Sequence, residues 1–379
     1  MDALERDPIE FLWRGYLPRL DAVRQEVATF LNADTEGLVV VPNATTGVST
    51  VLRSLRLRPG DELLTTDHEY NATLNALQKA ADEGHGRVVR ASIPLPIQHP
   101  QQVVEALLSK VTQRTRLALV SHVTSATGLV LPIEAIVREL DRLGVDTIVD
   151  AAHAPGMVPV DVTALGAAYW TTNGHKWLCG PKGTGVLHVR ADRREGISPL
   201  VTSHGKNDPR TDRPRLWKEF DWQGTGDPTA FFAVPEAIRL VGSLDPEGWP
   251  GIMAANRAMA LDARARLEEA LGVEPIAPIE MIGSMAAVRM PLLRTEEAAV
   301  ELNAALYHED GIEASFHGWP VPAARPAVSD PPEALLVRIS AQRYNEPADY
   351  ARLVEALVRR GLASRPPAGS RAASAIVSG

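Results

Sequence analysis

Short apolar runs rich in β-branched residues alternate with amphipathic stretches between residues 38 and 190. The amphipathic stretches repeat apolar residues every three or four positions, which is typical of helices that cover a sheet. The apolar runs predict strands buried on both faces, at Leu38–Val41, Leu63–Thr65, Arg87–Arg90, Leu117–Val120, Thr147–Asp150, Ala168–Thr171 and Gly185–Val189. This alternation predicts an α/β domain built on a mainly parallel, seven-stranded sheet.

The pattern changes after this region. Residues 198–230 are rich in Pro, Gly, Trp and charge without a clear period, which predicts a long functional loop. Beyond Pro235, helical stretches accompany strand-like runs at Met285–Met290 and Leu335–Ile339. The predicted parts are an N-terminal helix with the large α/β domain (1–235), a smaller C-terminal α+β domain (236–362) and a tail that is disordered by composition (363–379).

Charge and cysteine content exclude several classes of protein. The 379 residues carry 39 Lys+Arg and 47 Asp+Glu, a net charge of −8, with the basic residues scattered, so neither nucleic acid nor an anionic membrane is the expected partner. No apolar run approaches the roughly 20 residues of a membrane span, and the charged start does not resemble a signal peptide. The single cysteine can form neither an internal disulfide nor a thiolate-rich zinc site. We therefore expect a cytoplasmic protein without a metal site.

Polar residues follow three of the predicted strands, at the sheet edge where open α/β sheets bind ligands. After the first strand, Asn43–Gly47 leads directly into a helix, and the amides at a helix start suit a phosphate group. Taken alone, ordinary capping by Asn43 or Thr45 is the better explanation of this segment. It is not a P-loop, because no Gly-Lys-Ser/Thr follows, and no dinucleotide fingerprint is present.

The other two segments contribute a carboxylate and an amine. Asp150 ends a predicted strand, where a buried acid is costly unless it pairs with a cation such as a protonated pyridine nitrogen. A helix-capping role explains Asp150 equally well on its own. Lys176 follows the next strand and is a candidate Schiff-base amine whose pKa is lowered by burial and nearby cations. A solvated lysine is the alternative, but the glycine-rich Gly180–Gly185 implies tight backbone packing behind it.

Together these segments supply what pyridoxal 5′-phosphate needs: a phosphate site, a carboxylate for the ring nitrogen and an amine for the aldehyde. The chain also resembles the class V aminotransferase group of fold-type I pyridoxal-phosphate enzymes, which includes the cysteine desulfurases, and most of all its isopenicillin N epimerase-like branch. The resemblance runs from about Asp7 to Leu357. Its specific motifs are Asn43-Ala44-Thr45-Thr46-Gly47, Asp67-His68-Glu69-Tyr70-Asn71, Asp150-Ala151-Ala152-His153 and His175-Lys176-Trp177.

The resemblance implies a role for each matched residue around the cofactor. Lys176 would form the Schiff base, and Asp150 would pair with the pyridine nitrogen. Either His68 or Tyr70 would stack on the ring, and the sequence leaves this choice open. The residues implied to hold the phosphate are Ala44, Thr45, Asn173 and His175.

Further positions match more distant parts of the family's site. Ser125, where desulfurases carry Asn, and His153 would lie near the phenolic oxygen; a packing or capping role for His153 is the alternative. Gly224 and Thr225 resemble a loop that crosses a dimer interface to the partner's phosphate, which implies a homodimer with shared active sites. Arg338 matches the arginine that binds the α-carboxylate of an amino-acid substrate, with a strand-edge salt bridge as the alternative.

The implied activity is an epimerase-like reaction at Cα of an amino acid or aminoacyl-type substrate, with Lys176 as the base. A C–S lyase or aminotransferase of the same family remains an alternative, as does an inactive dimeric binding protein of this fold. A desulfurase needs a cysteine nucleophile on a loop of the smaller domain, and residues 316–331 contain none. The lone Cys179 is expected to be a small packing residue behind the cofactor.

Overall fold

The computed structural model describes residues 2–364, so residues 365–379 of the predicted tail lie outside the described residues. The strands are β1 (Leu38–Val41), β2 (Glu62–Thr66), β3 (Arg87–Ala91), β4 (Thr115–Ser121), β5 (Asp146–Asp150), β6 (Tyr169–Asn173), β7 (Gly185–Val189), β8 (Met285–Arg289), β9 (Ser315–Trp319) and β10 (Ala334–Ser340). The α-helices are α1 (Asp2–Arg6), α2 (Tyr16–Leu31), α3 (Ala44–Ser54), α4 (Asn71–Glu83), α5 (Gln101–Leu108), α6 (Ile133–Arg142), α7 (Val162–Leu165), α8 (Arg215–Phe220), α9 (Thr229–Phe232), α10 (Val234–Gly242), α11 (Trp249–Leu271), α12 (Glu296–Asp310) and α13 (Pro347–Arg359). Within residues 2–364, no helix is long and apolar enough to cross a membrane.

A seven-stranded sheet forms the centre of the first half of the chain. Its strand order is β1-β7-β6-β5-β4-β2-β3, and β7 runs antiparallel to both of its neighbours while the remaining pairs are parallel. Each of the seven predicted strands is present, with ends that differ from the prediction by at most two residues. The predicted α/β class with a mainly parallel sheet is therefore confirmed.

The sheet is covered on both faces, which explains why its strands are continuously apolar. Because successive strand residues point to opposite faces, Leu63 packs into one apolar core and Leu64 into the other. Val48 of α3 and Leu77 of α4 belong to the first core, and Ile136 of α6 belongs to the second. Both cores exclude water from the strands, so the polar strand ends are left as the place where side chains can face a ligand.

A second, antiparallel sheet has the order β8-β10-β9. Strands β8 and β10 are the two strands predicted for this region, whereas β9 is not predicted. The β9 segment Ser315–Trp319 contains Gly318 and His317 and has no apolar run, so local pattern does not distinguish it from a loop. It becomes a strand by pairing with β10, which places Ser315 opposite Arg338.

The region predicted as a long loop contains more regular structure than expected. Helices α8 and α9 lie within or at the end of residues 198–230, and their few turns are too short to produce a readable helical period. The predicted division between domains at 235 and 236 falls inside α10. That division stays a prediction.

Candidate active site

The polar ends of several strands of the large sheet meet around one cavity. Strands β4, β5 and β6 are adjacent and parallel, so the segments that follow them emerge at the same edge. Strand β1 is antiparallel to β7, which is antiparallel to β6, so its end points to this edge as well. The predicted site residues that line the cavity are Ala44, Thr45, Tyr70, Ser125, Asp150, His153, Asn173 and Lys176.

The start of α3 provides hydrogen-bond donors on one side of this cavity. Asn43 caps the helix by accepting from the amide of Thr46 at 2.9 Å, so the capping role considered for it is present. The amide of Ala44 donates to Asn173 Oδ1 at 2.9 Å and is therefore occupied. Among residues 2–364, neither the amide nor the hydroxyl of Thr45 has a hydrogen-bond partner. Thr45 thus offers two unused donors at the positive end of a helix, which fits a phosphate group.

His175 lies next to this cavity but is not one of the residues that line it. Its Nδ1 is 3.1 Å from the carbonyl oxygen of Thr184, and a carbonyl can only accept, so Nδ1 carries a proton. Burial lowers the pKa of His175 below its ordinary value. The remaining ring nitrogen, Nε2, accepts hydrogen bonds in the neutral ring and donates only when the ring is protonated.

Asp150 is a buried carboxylate at the end of β5. The amide of Ala152 donates to its Oδ1 at 3.0 Å, and Oδ2 has no hydrogen-bond partner among the described residues. Burial raises the pKa of Asp150, and the charge of Lys176 acts in the opposite direction. A buried acid with one unused oxygen fits a protonated pyridine nitrogen, because that partner would compensate the cost of burying the charge.

Lys176 lies three residues after the end of β6, and its side chain is partly buried. Its pKa is lowered to about 8, chiefly by burial, while the charge of Asp150 acts to raise it and the charge of Arg338 acts to lower it. The backbone behind it is tightly packed, since a Cβ on Gly180 would lie 2.8 Å from the carbonyl oxygen of Gly174. A substantial fraction of Lys176 is therefore neutral near pH 8, which is the form of an amine that reacts with an aldehyde.

His153 is a buried imidazole in contact with Lys176. Its Nε2 is 2.9 Å from Lys176 Nζ, and the indole Nε1 of Trp177 donates to its Nδ1 at 3.2 Å. Burial, followed by the charges of Lys176, Arg338 and His317, lowers the pKa of His153 well below its ordinary value. His153 is therefore a neutral ring with both nitrogens engaged.

The two candidates for the stacking residue occupy different environments. The side chain of His68 is buried, with Nε2 2.8 Å from the carbonyl oxygen of Ile93 and Nδ1 3.1 Å from the hydroxyl of Thr127. It does not line the cavity. Tyr70 does line the cavity and is 45 % exposed. Of the two residues, Tyr70 is the one that borders the cavity in this structure.

Arg338 of β10 is not one of the residues that line the Lys176 cavity; it lines a neighbouring cavity and contacts the Lys176 cavity through Ser125. Its Nη1 donates to the carbonyl oxygen of Ser125 at 2.5 Å, and its buried Nε has no partner. No carboxylate within residues 2–364 forms an ion pair with it, so the salt-bridge alternative lacks a partner there. Burial lowers the pKa of Arg338. An unpaired guanidinium near Lys176 and His153 is an arrangement suited to an anionic ligand.

Gly224 and Thr225 are exposed on a loop that does not line the Lys176 cavity of its own chain. Gly224 lines a separate cavity together with Tyr16 and Phe231. Gly224 has φ of 116°, a conformation that favours glycine. The proposed contact with a partner's phosphate stays a prediction.

The expectation for Cys179 is wrong. Its side chain is exposed rather than packed behind the cavity. The residue has φ of 55°, in the left-handed region, so the chain turns here and directs the thiol outward. The neighbouring Trp177 and Leu178 are buried in its place.

Family membership follows from the sequence as a whole. A model of the family described as aminotransferase class-V matches residues 17–353. The chain belongs to the class V aminotransferase family. Membership confirms the family predicted from the motifs, identifies the chain as an enzyme of this family and confirms pyridoxal 5′-phosphate as its cofactor.

Individual members of the class V aminotransferase family show a range of activities. The isopenicillin N epimerase of Amycolatopsis lactamdurans is 34% identical over 367 residues, which cover 92% of this chain and 87% of that protein. The probable chloroplastic L-cysteine desulfhydrase of Arabidopsis thaliana is 29% identical and covers 94% of this chain and 78% of its own length. Among solved structures, the cysteine desulfurase CsdA of Escherichia coli has a TM-score of 0.74 at 22% identity, over 91% of this chain and 84% of that one. This last likeness supports the fold.

This member of the class V aminotransferase family has a second buried carboxyl group, to which the motifs assign no role. Glu69 accepts hydrogen bonds from the hydroxyls of Thr66 at 2.8 Å and Ser121 at 2.5 Å. Burial raises its pKa to about 8, and the nearby Asp150 contributes in the same direction. The position of Glu69 shortly after the buried strand β2 is the sequence feature that points to the site. The sequence alone does not show that its side chain is buried.

His317 of β9 is a further group near the site, and the sequence does not point to it because the β9 segment carries no pattern that marks it as a strand. It is partly buried, and its Nε2 is 2.8 Å from the hydroxyl of Ser315. Burial and then the charge of Arg338 lower its pKa to about 4. Within the part of the chain that the structure describes, no group of His, Cys, Asp and Glu side chains is arranged to hold a metal ion.

Glu69 is expected to make the protein less stable as the pH rises. Its pKa is about 8 in the folded chain against an ordinary value of 4.5, so between these values the folded state holds a proton that the unfolded state releases. The free energy of unfolding therefore decreases across this interval and levels off above pH 8. Glu69→Gln, which cannot ionise, should gain about 2–4 kcal/mol relative to the native chain between pH 5 and 9.

Urea unfolding of the cofactor-loaded proteins at pH 5, 6, 7, 8 and 9 measures this difference. Glu355→Gln, which removes an exposed glutamate from α13, is the matched control for the loss of one carboxylate. A Glu69→Gln protein whose stability runs parallel to that of the native chain would show that Glu69 is not protonated by the fold.

Proposed function

We propose that this enzyme acts at Cα of an amino acid or aminoacyl-type substrate in an epimerase-like reaction. The observation that carries the proposal is the unpaired guanidinium of Arg338, which lies near Lys176 without a carboxylate partner in residues 2–364. A free α-carboxylate is the anion that a planar guanidinium binds with two parallel hydrogen bonds. Arg338 would hold the substrate by this group and direct its Cα toward Lys176.

The other side chains of the cavity would bind the cofactor and transfer the proton. When bound, the cofactor stabilises the negative charge that remains after a proton leaves Cα. Asp150 Oδ2 would hold the protonated ring nitrogen, and Thr45 would donate to the phosphate. Tyr70 would lie against the ring. Lys176 Nζ, whose pKa is about 8, would take the proton from Cα, since a base works best when its pKa is near the operating pH.

The relatives support more than one fate for the proton. The 34% identical relative carries the name isopenicillin N epimerase, which favours return of the proton to the opposite face of Cα. The desulfhydrase relatives favour a C–S lyase as the second candidate. Cys179, the single cysteine of the chain, does not line the Lys176 cavity, and residues 316–331 contain no cysteine, which argues against a reaction that transfers sulfur to the protein.

We also propose that the enzyme is a cytoplasmic homodimer with shared active sites. Gly224 and Thr225 are exposed and lie outside the Lys176 cavity of their own chain, as expected of residues that complete the cavity of a partner. The single cysteine supports the compartment, because disulfide-forming cysteines are typical of oxidising compartments. Sedimentation of the purified protein would test the dimer, and a monomer with full activity would contradict it.

Incubation of the loaded enzyme with a panel of amino acids in deuterated water tests the proposed reaction. Proton NMR is expected to show loss of the Cα–H signal for at least one amino acid, followed by inversion on chiral analysis. Keto-acid formation would indicate an aminotransferase, and loss of a β-substituent would indicate a lyase. Absence of Cα–H exchange with every amino acid, and with dipeptides tested as aminoacyl-type compounds, would contradict action at Cα. It would favour the alternative that the chain is an inactive binding protein.

A further inference from the structure

The indole of Trp177 makes a hydrogen bond that determines how the neighbouring imidazole is protonated. Trp177 directly follows Lys176 and is 8 % exposed. Its Nε1 donates to Nδ1 of His153 at 3.2 Å. Because an indole N–H has no lone pair to offer, it can only donate, and Nδ1 must therefore be the unprotonated nitrogen of the ring.

The other nitrogen of His153 consequently carries the proton. Burial and the basic groups that face the ring, Lys176, Arg338 and His317, keep the imidazole neutral, with a pKa well below the ordinary value. A neutral imidazole has one N–H, so with Nδ1 accepting, that N–H is at Nε2. Nε2 lies 2.9 Å from Lys176 Nζ, and an N–H at this distance needs a lone pair opposite it. Only the neutral amine of Lys176 offers one.

We propose that Trp177 is a positioning residue that fixes His153 in the tautomer protonated at Nε2, so that His153 presents a hydrogen-bond donor to the cavity. The roles of the cavity groups rest on the function proposed above, but the tautomer itself follows from the contacts of these three side chains. Without the indole N–H, the proton is free to move to Nδ1. Nε2 would then become an acceptor and would stabilise the ammonium form of Lys176 instead of the neutral amine.

The tautomer can be measured directly in the loaded enzyme with histidine labelled by ¹⁵N. Long-range ¹H–¹⁵N spectra distinguish protonated from unprotonated ring nitrogens, and His153→Gln identifies the His153 signals by their disappearance. The native protein is expected to show His153 with a protonated Nε2 and an unprotonated Nδ1. Trp177→Phe keeps the aromatic bulk and removes the donor, so the two nitrogen shifts should move toward each other or exchange positions.

Trp249→Phe is the matched control. Trp249 also donates through its indole N–H, at 3.0 Å to the carbonyl oxygen of Ile238, and this contact does not involve His153. Its loss should leave the His153 shifts unchanged. The cofactor content per chain, read from visible absorbance, should stay at the native level in Trp249→Phe, because Trp249 does not line the Lys176 cavity.

The native spectrum decides the proposal even where Trp177→Phe does not fold. A native His153 protonated at Nδ1 would overturn it, and so would a folded Trp177→Phe protein with the native His153 pattern. The predicted tautomer in a protein that turns over no amino acid would count against the proposed function alone. Amino-acid turnover by an enzyme with the opposite tautomer would contradict this proposal and leave the function standing.

Discussion

A Lys176→Ala chain is expected to lose both the covalently held cofactor and turnover. Nζ of Lys176 is the amine of the cavity, it has a pKa near 8, and it lies 2.9 Å from His153. Its removal would take away the proposed Schiff-base amine and the proposed base for the Cα proton, so kcat should fall by about 10³-fold or more. The native protein should be yellow, and borohydride should attach the cofactor to the peptide that contains Lys176. The variant should show neither property.

Lys182→Ala provides the control for this experiment, since Lys182 is exposed in the same glycine-rich segment and does not line the cavity. It should retain native absorbance and activity. A small primary amine added to Lys176→Ala should restore part of the turnover, because it can replace the missing base. Borohydride attachment to the Lys176→Ala chain at the native level would show that another amine holds the cofactor.

The large sheet could be predicted because its strands are buried on both faces and are therefore marked by apolar composition alone. Strand β5, for example, needs no knowledge of its partners to be recognised. Strand β9 differs, since its partly buried residues become a strand only through pairing with β10. Information of that kind resides in the tertiary structure and not in the local pattern.

The difference between local sequence pattern and tertiary contact also applies to the candidate active site. Motifs point to Asp150 and Lys176 because of their residue types and their positions after strands, and the structure places both in the lining of one cavity. Motifs could not choose between His68 and Tyr70, because they are two positions apart and only the structure shows that His68 has both nitrogens occupied by buried partners. Nor could they show that Trp177 donates to His153, a contact between two strand-end segments. The residues that carry out chemistry are thus more visible in sequence than those that orient them.

Arg338→Gln is expected to reduce kcat/KM for an amino-acid substrate by about 10²–10³-fold. The interaction proposed for Arg338 is a charge-assisted pair with the α-carboxylate, and removal of one partner of a buried pair of this kind typically costs about 2–5 kcal/mol. An amine analogue that lacks the carboxylate should lose little, so the preference for the amino acid over this amine should largely disappear. Steady-state kinetics with the matched pair of compounds measures this change. Arg338→Lys should recover only part of it, because an ammonium group cannot bind both carboxylate oxygens in parallel.

Arg338→Gln should not destabilise the cofactor-loaded enzyme in the absence of substrate. This result would separate a role in substrate binding from a role in holding the fold. Arg338 has a buried Nε without a partner and no ion pair in residues 2–364, so its burial is a cost in the absence of ligand. The melting temperature of Arg338→Gln should therefore equal or exceed that of the native protein, with cofactor absorbance unchanged. Arg343→Gln, which removes an exposed arginine 3.7 Å from Asp245, should leave the substrate preference intact. A large loss of stability in Arg338→Gln together with an unaltered preference would assign Arg338 to the fold, because a structural arginine supports the protein whether or not a carboxylate is present.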